Sequence, residues 1–372
     1  MATLTNTTTV KPARTDYPPH TAFLDALMSV LCIILVSGLF IDGWAHNHGI
    51  VDESFFTVYH AVMYASYALF GFVLIGLHYM NVNKGYTFWR ALPQGYIISL
   101  IGVFIFGAGG FADMLWHIAF GIEEGIEALY SPSHLVLGVG YSVVIAGIIQ
   151  SAWVRREPAS GWGQLWWVVL TNACLLTIFT FFAQFMTFMG ATDGIYGIPR
   201  DRDLWTTAII GGYVLTASLQ TGIVLFMMRR WVLPRGAVSA MFAFNGLLMG
   251  LMLILEMDNI GESALFISLF MIAPLLLAGI VADVLIWRLK ATPHTPNTNR
   301  LIGTVTAFMI GASNLLAIYI LGTLQDEFLW WEIHTWLGVP SLCAIAGIFL
   351  SMLVFPPQVP ETALADPAEQ SA

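Results

Sequence analysis

Residues 95–118 read GYIISLIGVFIFGAGGFADMLWHI. An apolar run of this length matches the roughly 20 residues that a helix needs to cross a bilayer. Inside lipid the backbone finds no water, so such a run closes its hydrogen bonds as a helix. Near its end stand one carboxylate, Asp113, and one imidazole, His117. A charged group there costs about 2.5–3.5 kcal/mol even on insertion scales. The segment therefore predicts a membrane span that carries a site.

Working outward, nine more segments read the same way: 22–45, 54–80, 130–153, 164–189, 204–228, 236–256, 263–287, 301–322 and 331–355. The composition agrees, with 58% apolar and only 10% charged residues, against roughly 25% charged in a soluble domain. The expectation is an all-α polytopic membrane protein of about ten transmembrane helices in five hairpins. Residues 1–21 form a polar segment with no apolar stretch of a signal peptide. Residues 22–355 form the bundle, with 22–153 holding the chemistry and 164–355 supporting it. Residues 356–372, acidic and rich in Pro and Ala, read as a disordered tail. Cys32, Cys174 and Cys343 fall in separate apolar segments without CxxC spacing, which argues against a disulfide framework or a thiolate cluster.

Twelve of the fourteen Lys and Arg lie before the first span or after the even-numbered ones: Lys11, Arg14, Lys84, Arg90, Arg155, Arg156, Arg229, Arg230, Arg235, Arg288, Lys290 and Arg300. Only Arg200 and Arg202 lie on the other side. By the positive-inside rule both termini are cytoplasmic, and the chain is expected as a multi-pass protein of the inner (plasma) membrane. Nothing in this distribution suits nucleic acid.

Acids and histidines gather at the opposite ends of the spans. Gly38-Leu-Phe-Ile-Asp42 runs on to His46, and Gly109-Gly-Phe-Ala-Asp113 runs on to His117. Both spell G-x-F-x-D-x-x-x-H. A short acidic loop follows each, then Phe56-Thr-Val-Tyr-His60 or Tyr130-Ser-Pro-Ser-His134. The pattern reads as an internal repeat of a two-helix unit. Asp at i and His at i+4 share a helix face, about 5–6 Å apart at Cβ, and the second His returns on the antiparallel partner. Each hairpin thus offers a carboxylate and two imidazoles, Asp42, His46 and His60, then Asp113, His117 and His134. Such N₂O sets suit copper, zinc or iron, with affinity peaking at copper.

Other candidates read as ordinary. His20, His78 and His294 suit caps or interfaces, His48 a loop rim, and Trp44 and Trp116 interfacial anchors. Met186 and Met189 suit packing better than ligation. Glu256, Asp258, Glu332 and His334 read as rim residues or remains of further repeats, and Asp283 as paired with Arg288 or a neighbouring segment. The inner halves of the first four spans offer only Asp25, Cys32 and small residues, a poor path for transport.

The second hairpin, with Asp113-Met-Leu-Trp-His117 and then Tyr130-Ser-Pro-Ser-His134, resembles the C subunit of particulate methane and ammonia monooxygenases. That subunit carries a D-x2-W-H run and an aromatic-T-P-S-H that opens the next helix. Its second site, Asn-x3-His…His, is similar to Asp42, His46 and His60, with Asp here in place of Asn. The resemblance spans roughly 36–145 and implies copper at both sets. This chain has more spans and a longer second loop, and it carries no cupredoxin-like domain. Oxygenase activity would then call on other membrane subunits, and the metal on an extracytoplasmic donor. Other classes remain open on the residues alone: a metal-handling or transport protein, a b-type cytochrome, and a zinc-dependent intramembrane hydrolase using Glu123, Glu124 or Glu127 as base.

Overall fold

The computed structural model describes residues 14–50, 55–122, 125–155, 159–187, 201–252, 262–324, 326 and 329–357. For residues 262–271 it gives the backbone alone. Among these residues the chain is helical: α1 (Ala22–Asn47), α2 (Val58–Asn83), α3 (Tyr96–Phe120), α4 (Gly125–Tyr130), α5 (Pro132–Trp153), α6 (Trp162–Phe182), α7 (Arg202–Arg230), α8 (Ala237–Leu251), α9 (Glu262–Arg288), α10 (Pro296–Leu324) and α11 (Ile333–Val354).

Eight of these, α1, α2, α3, α5, α6, α7, α10 and α11, are long and apolar enough to cross a membrane. Helices also occupy the remaining two expected positions. Of these, α8 has only 15 residues, and α9 includes the residues whose side chains lie outside the description. The fifth segment ends earlier than its apolar run: α6 stops at Phe182 and a 3-10 turn takes over at Gln184–Met186. The short α4, on the loop side of Tyr130, was not expected.

The chain divides into two compact units. The first holds residues up to Pro158, with Trp166–Phe182 and Leu251–Gly261. Here α1 packs on α2 and α3 on α5. The α3/α5 contact is backbone-close: a Cβ added at Gly140 would lie 2.8 Å from the Cα of Phe106. Without a hydrophobic drive between helices in lipid, such small-residue contacts let dispersion hold the pair. At the opposite end from the acid–histidine residues, fully buried Asp25 accepts a 2.8 Å hydrogen bond from the Tyr96 hydroxyl. It also pairs with the Arg155 guanidinium, so the intramembrane carboxylate is not left uncompensated. Beside it His20 Nδ1 and the Ser151 hydroxyl share a hydrogen bond of 3.2 Å. Burial, then the Arg155 charge, holds the His20 pKa below its ordinary value.

In the second unit α10 packs on α7, α9 and α11. Arg229 donates to the Val354 carbonyl at 2.5 Å and Arg300 to the Phe355 carbonyl at 2.8 Å. Two cations thus satisfy orphan carbonyls at the end of α11 and complement its dipole. Asp283 does not use Arg288, whose guanidinium stacks on Trp287. It caps α8, accepting from the N–H groups of Val238 and Ser239 at 3.2 and 2.9 Å. A neighbouring segment, not a basic residue, therefore holds this acid.

Candidate metal centre

Local helix chemistry sets up the site. Thr57 ends the loop before α2, and its hydroxyl accepts the His60 N–H at 3.0 Å. Ser131 does the same for His134 at 3.4 Å, with Pro132 following at the start of α5. Each cap satisfies one orphan donor and fixes a histidine in the first turn of its helix. Asp42 and His46 stand in the last turns of α1, Asp113 and His117 in those of α3. The antiparallel pairings α1/α2 and α3/α5 bring last turns and first turns together.

All six residues converge in the first unit. His46 Nε2 lies 3.9 Å from Asp42 Oδ2, His60 Nε2 lies 3.6 Å from Asp42 Oδ1, and the two Nε2 atoms are 3.4 Å apart. Asp113 Oδ1 is 3.5 Å from His117 Nε2 and 3.1 Å from His134 Nε2. The hairpins share one pocket, because the ring centroids of His46 and His117 are 6.3 Å apart and those of His60 and His117 are 5.8 Å apart. The ligand atoms of Asp42, His46 and His60 lie within 4.8 Å of one another, as do those of His60, Asp113 and His117. His60 belongs to both groups. The expected membership of the two sets is therefore blurred at this one residue.

Backbone carbonyls orient the rings. His60 Nδ1 meets the Phe55 carbonyl at 2.6 Å, His117 Nδ1 the Gly121 carbonyl at 3.0 Å, and His134 Nδ1 the Ala128 carbonyl. A carbonyl only accepts, so each Nδ1 carries the proton and each Nε2 presents a lone pair. This is the arrangement that outer hydrogen bonds impose on a metal-binding histidine. Gly121 makes its own contribution through a φ of 89°, the left-handed conformation that turns the chain at the end of α3.

At His134 Nε2 and Asp113 Oδ1, 3.1 Å apart, lone pair faces lone pair, an approach that a cation between them, a proton or a metal ion, stabilises. His46 and His60 Nε2, 3.4 Å apart, are within hydrogen-bonding distance, with His46 able to take the donor tautomer. Among the described residues Asp42 Oδ1 and His117 Nε2 are buried without a hydrogen-bond partner. Buried polar atoms rarely stand so, and both have a lone pair that could take an ion.

Two partners of Asp113 escaped the sequence reading. Ser133 donates to Oδ1 at 2.9 Å and Tyr64 to Oδ2 at 3.4 Å. Tyr64, one helical turn after His60, carried a positional signal; Ser133 carried none beyond adjacency to His134. The other candidates stay outside. His48 turns to the Trp44 carbonyl at 2.7 Å, and His78 to that of Phe88 at 2.8 Å. His294 and Glu127 are exposed. Glu332 and His334 approach to 3.5 Å but are largely exposed, and Met186 is exposed. Met189, Glu123, Glu124, Glu256 and Asp258 lie outside the described residues. The chain matches no protein-family model, no curated protein and no solved structure.

Proposed function

We propose that this chain is a ten-span membrane protein whose first two hairpins hold two copper ions in one pocket beneath the outer face. It serves as the metal-bearing subunit of a copper-dependent membrane oxidoreductase. The observation that carries this reading is the convergence of four imidazoles and two carboxylates, with three rings fixed so that Nε2 faces inward. Two buried carboxylates with no guanidinium or ammonium among their contacts with the described residues call for compensating positive charge. Divalent ions supply it, and borderline nitrogen and oxygen donors favour copper by affinity. The positive-inside distribution of Lys and Arg supports cytoplasmic termini and puts the pocket at the outer ends of α1, α2, α3 and α5.

Each ion takes one carboxylate and two imidazoles from its own hairpin, which leaves positions for oxygen or another small ligand. Copper supplies the redox chemistry. The helices around it present apolar surface through which hydrophobic substrate or reductant arrives from the bilayer. The likeness of the second hairpin to the C subunit of copper membrane monooxygenases supports this class, and partner subunits complete the activity. A b-type cytochrome fits poorly, since in each group a carboxylate oxygen stands within 4.8 Å of both imidazole nitrogens, in the space a macrocycle between them would fill. For a zinc hydrolase the described loop acid, Glu127, is exposed and is in neither group of converging ligand atoms.

The deciding measurement is elemental analysis with electron paramagnetic resonance on one sample purified from copper-replete membranes. Two coppers per chain and a type-2 Cu(II) signal that disappears in His117→Ala and His134→Ala together with Asp42→Ala are expected. Metal-free protein would overturn the reading, and stoichiometric zinc with a silent spectrum would replace copper by hydrolytic chemistry.

A further inference from the structure

Two guanidinium groups share one indole in the second unit. Arg235 Cζ stands 4.4 Å from the ring centroid of Trp287, and Arg288 Cζ stands 4.7 Å from it. Arg235 lies between α7 and α8, and Arg288 ends α9, so residues far apart in sequence meet on this ring. Both are exposed, and neither has a carboxylate partner among the described residues. Asp283, the acid on α9 nearest to Arg288 in sequence, turns its oxygens to the amides of Val238 and Ser239 instead. The corner is fixed from another side as well. Trp162 Nε1 donates to the Arg235 carbonyl at 2.8 Å, and Ser160 pairs with Val232. The positive-inside rule accounts for cations at this end of the helices. It does not account for two like charges held together against their repulsion. An apolar strip leads up to the pair. Leu277, Ile280, Val284 and Trp287 follow one another at helical spacing on one face of α9, each 43% to 45% exposed.

We propose that Arg235 and Arg288 bind the phosphate of an anionic phospholipid whose acyl chain lies along Trp287, Val284 and Ile280. Guanidinium is a planar fork that takes phosphate oxygens two at a time and stacks on aromatic faces. Trp287 holds both forks by their faces and leaves their N–H edges to the ligand. Basic groups at a membrane surface attract anionic headgroups. Two unneutralised cations call for a headgroup with net negative charge rather than a zwitterion. Indole rings favour the same headgroup level. Free phosphate would satisfy the guanidinium groups and leave the strip uncovered, so a lipid is the occupant that fits both. Bound there, it ties the segment before α8 to the end of α9. The proposal rests on the membrane reading of the chain and is independent of the metal pocket.

The test is a titration of full-length, delipidated protein in detergent with phosphatidylglycerol or phosphatidylcholine, with native mass spectrometry counting the lipids retained. Wild type is expected to hold one phosphatidylglycerol about thirtyfold more tightly than the Arg235→Gln/Arg288→Gln double variant, the combined loss of two cations at a charged headgroup. It is also expected to prefer phosphatidylglycerol to phosphatidylcholine, and millimolar inorganic phosphate is expected to leave the lipid in place. Lys84→Gln, which removes an exposed cation of the first unit, is expected to bind as wild type does. Equal retention by wild type and the double variant, or an equal loss in Lys84→Gln, overturns the proposal. So does a wild type that holds both lipids equally, and displacement by inorganic phosphate would make the site one for the free anion. If the double variant does not fold, the lipid preference and the phosphate arm on wild type decide it alone.

Discussion

The two hairpin tips carry the same motif in unequal surroundings. On the α3/α5 tip, Asp113 is gripped on both oxygens, by Ser133 at 2.9 Å and Tyr64 at 3.4 Å. On the α1/α2 tip, Asp42 Oδ1 is buried with no hydrogen-bond partner among the described residues. Position 59, which corresponds to Ser133, holds a tyrosine. Both tips have the capped histidine and the Asp-x3-His, so ligand identity is the same. What differs is how far each carboxylate is fixed before an ion arrives. A preorganised ligand loses less freedom on binding, so the α3/α5 tip is expected to fill first and hold its ion more tightly.

The sharpest way to break that comparison is to ask whether the tips are separate sites at all. Asp42→Ala should remove one copper per chain and leave one, and His134→Ala should do likewise, counted by elemental analysis on purified protein. His60→Ala should do the most damage, because its ring lies in both three-residue groups. It is expected to remove the first ion and weaken the second at least tenfold, an effect in the range of a lost outer partner. If every single variant abolished all metal, one ion would serve both tips and the comparison would fall.

A second test concerns how the helix pairs stay close. At Gly140 in α5 an added methyl meets the backbone of Phe106 at 2.8 Å, whereas at Gly38 in α1 it first meets the Ser66 hydroxyl at 2.9 Å. Backbone cannot step aside, and a serine rotamer can. Gly140→Ala should therefore lower stability by about 1–3 kcal/mol, the usual cost of overpacking, with a clearly smaller loss for Gly38→Ala. Thermal unfolding in detergent, followed by circular dichroism, compares them. Equal losses would mean that the Met63 backbone behind Ser66, rather than the hydroxyl, sets the cost at Gly38.

Most of the site could be read because it was local. Asp42 with His46, and Asp113 with His117, sit at a spacing that one helix face enforces, and the returning histidines follow a short loop. The apolar runs made the helices equally plain, since lipid leaves the backbone no alternative. What stayed hidden depends on which side chains happen to meet. The approach of Tyr64 to Asp113 requires the register of α2 against α3, and the Asp25–Tyr96 bond requires that of α1 against α3. No spacing along the chain encodes either. For Asp283 the sequence left Arg288 and a neighbouring segment both open, and only the fold decides for the segment. Its nearest cation in sequence is Arg288, but the amide donors at the start of α8 are nearer in space. The sharing of His60 between the tips was legible only once the two hairpins were seen to face one another.

The smaller effects test preorganisation itself. Ser133→Ala removes the shorter bond to Asp113 while leaving every ligand in place. Outer-shell losses of this kind cost about 10–100-fold in metal affinity, and the α3/α5 ion alone should weaken, bringing its affinity toward that of the other tip. Chelator competition read by electron paramagnetic resonance follows both ions in one titration. Tyr64→Phe takes away a longer bond, so its effect is the least. A hydrogen bond to a charged group is worth about 1.5–3 kcal/mol net, and at 3.4 Å this one should fall at or below the bottom of that range, about tenfold. The ranking matters more than either value. If Tyr64→Phe weakened the ion more than Ser133→Ala, the carboxylate would be held chiefly through the oxygen turned away from His117 and His134. The tips would then differ because α2 lends a tyrosine to α3, and not because position 133 is a serine.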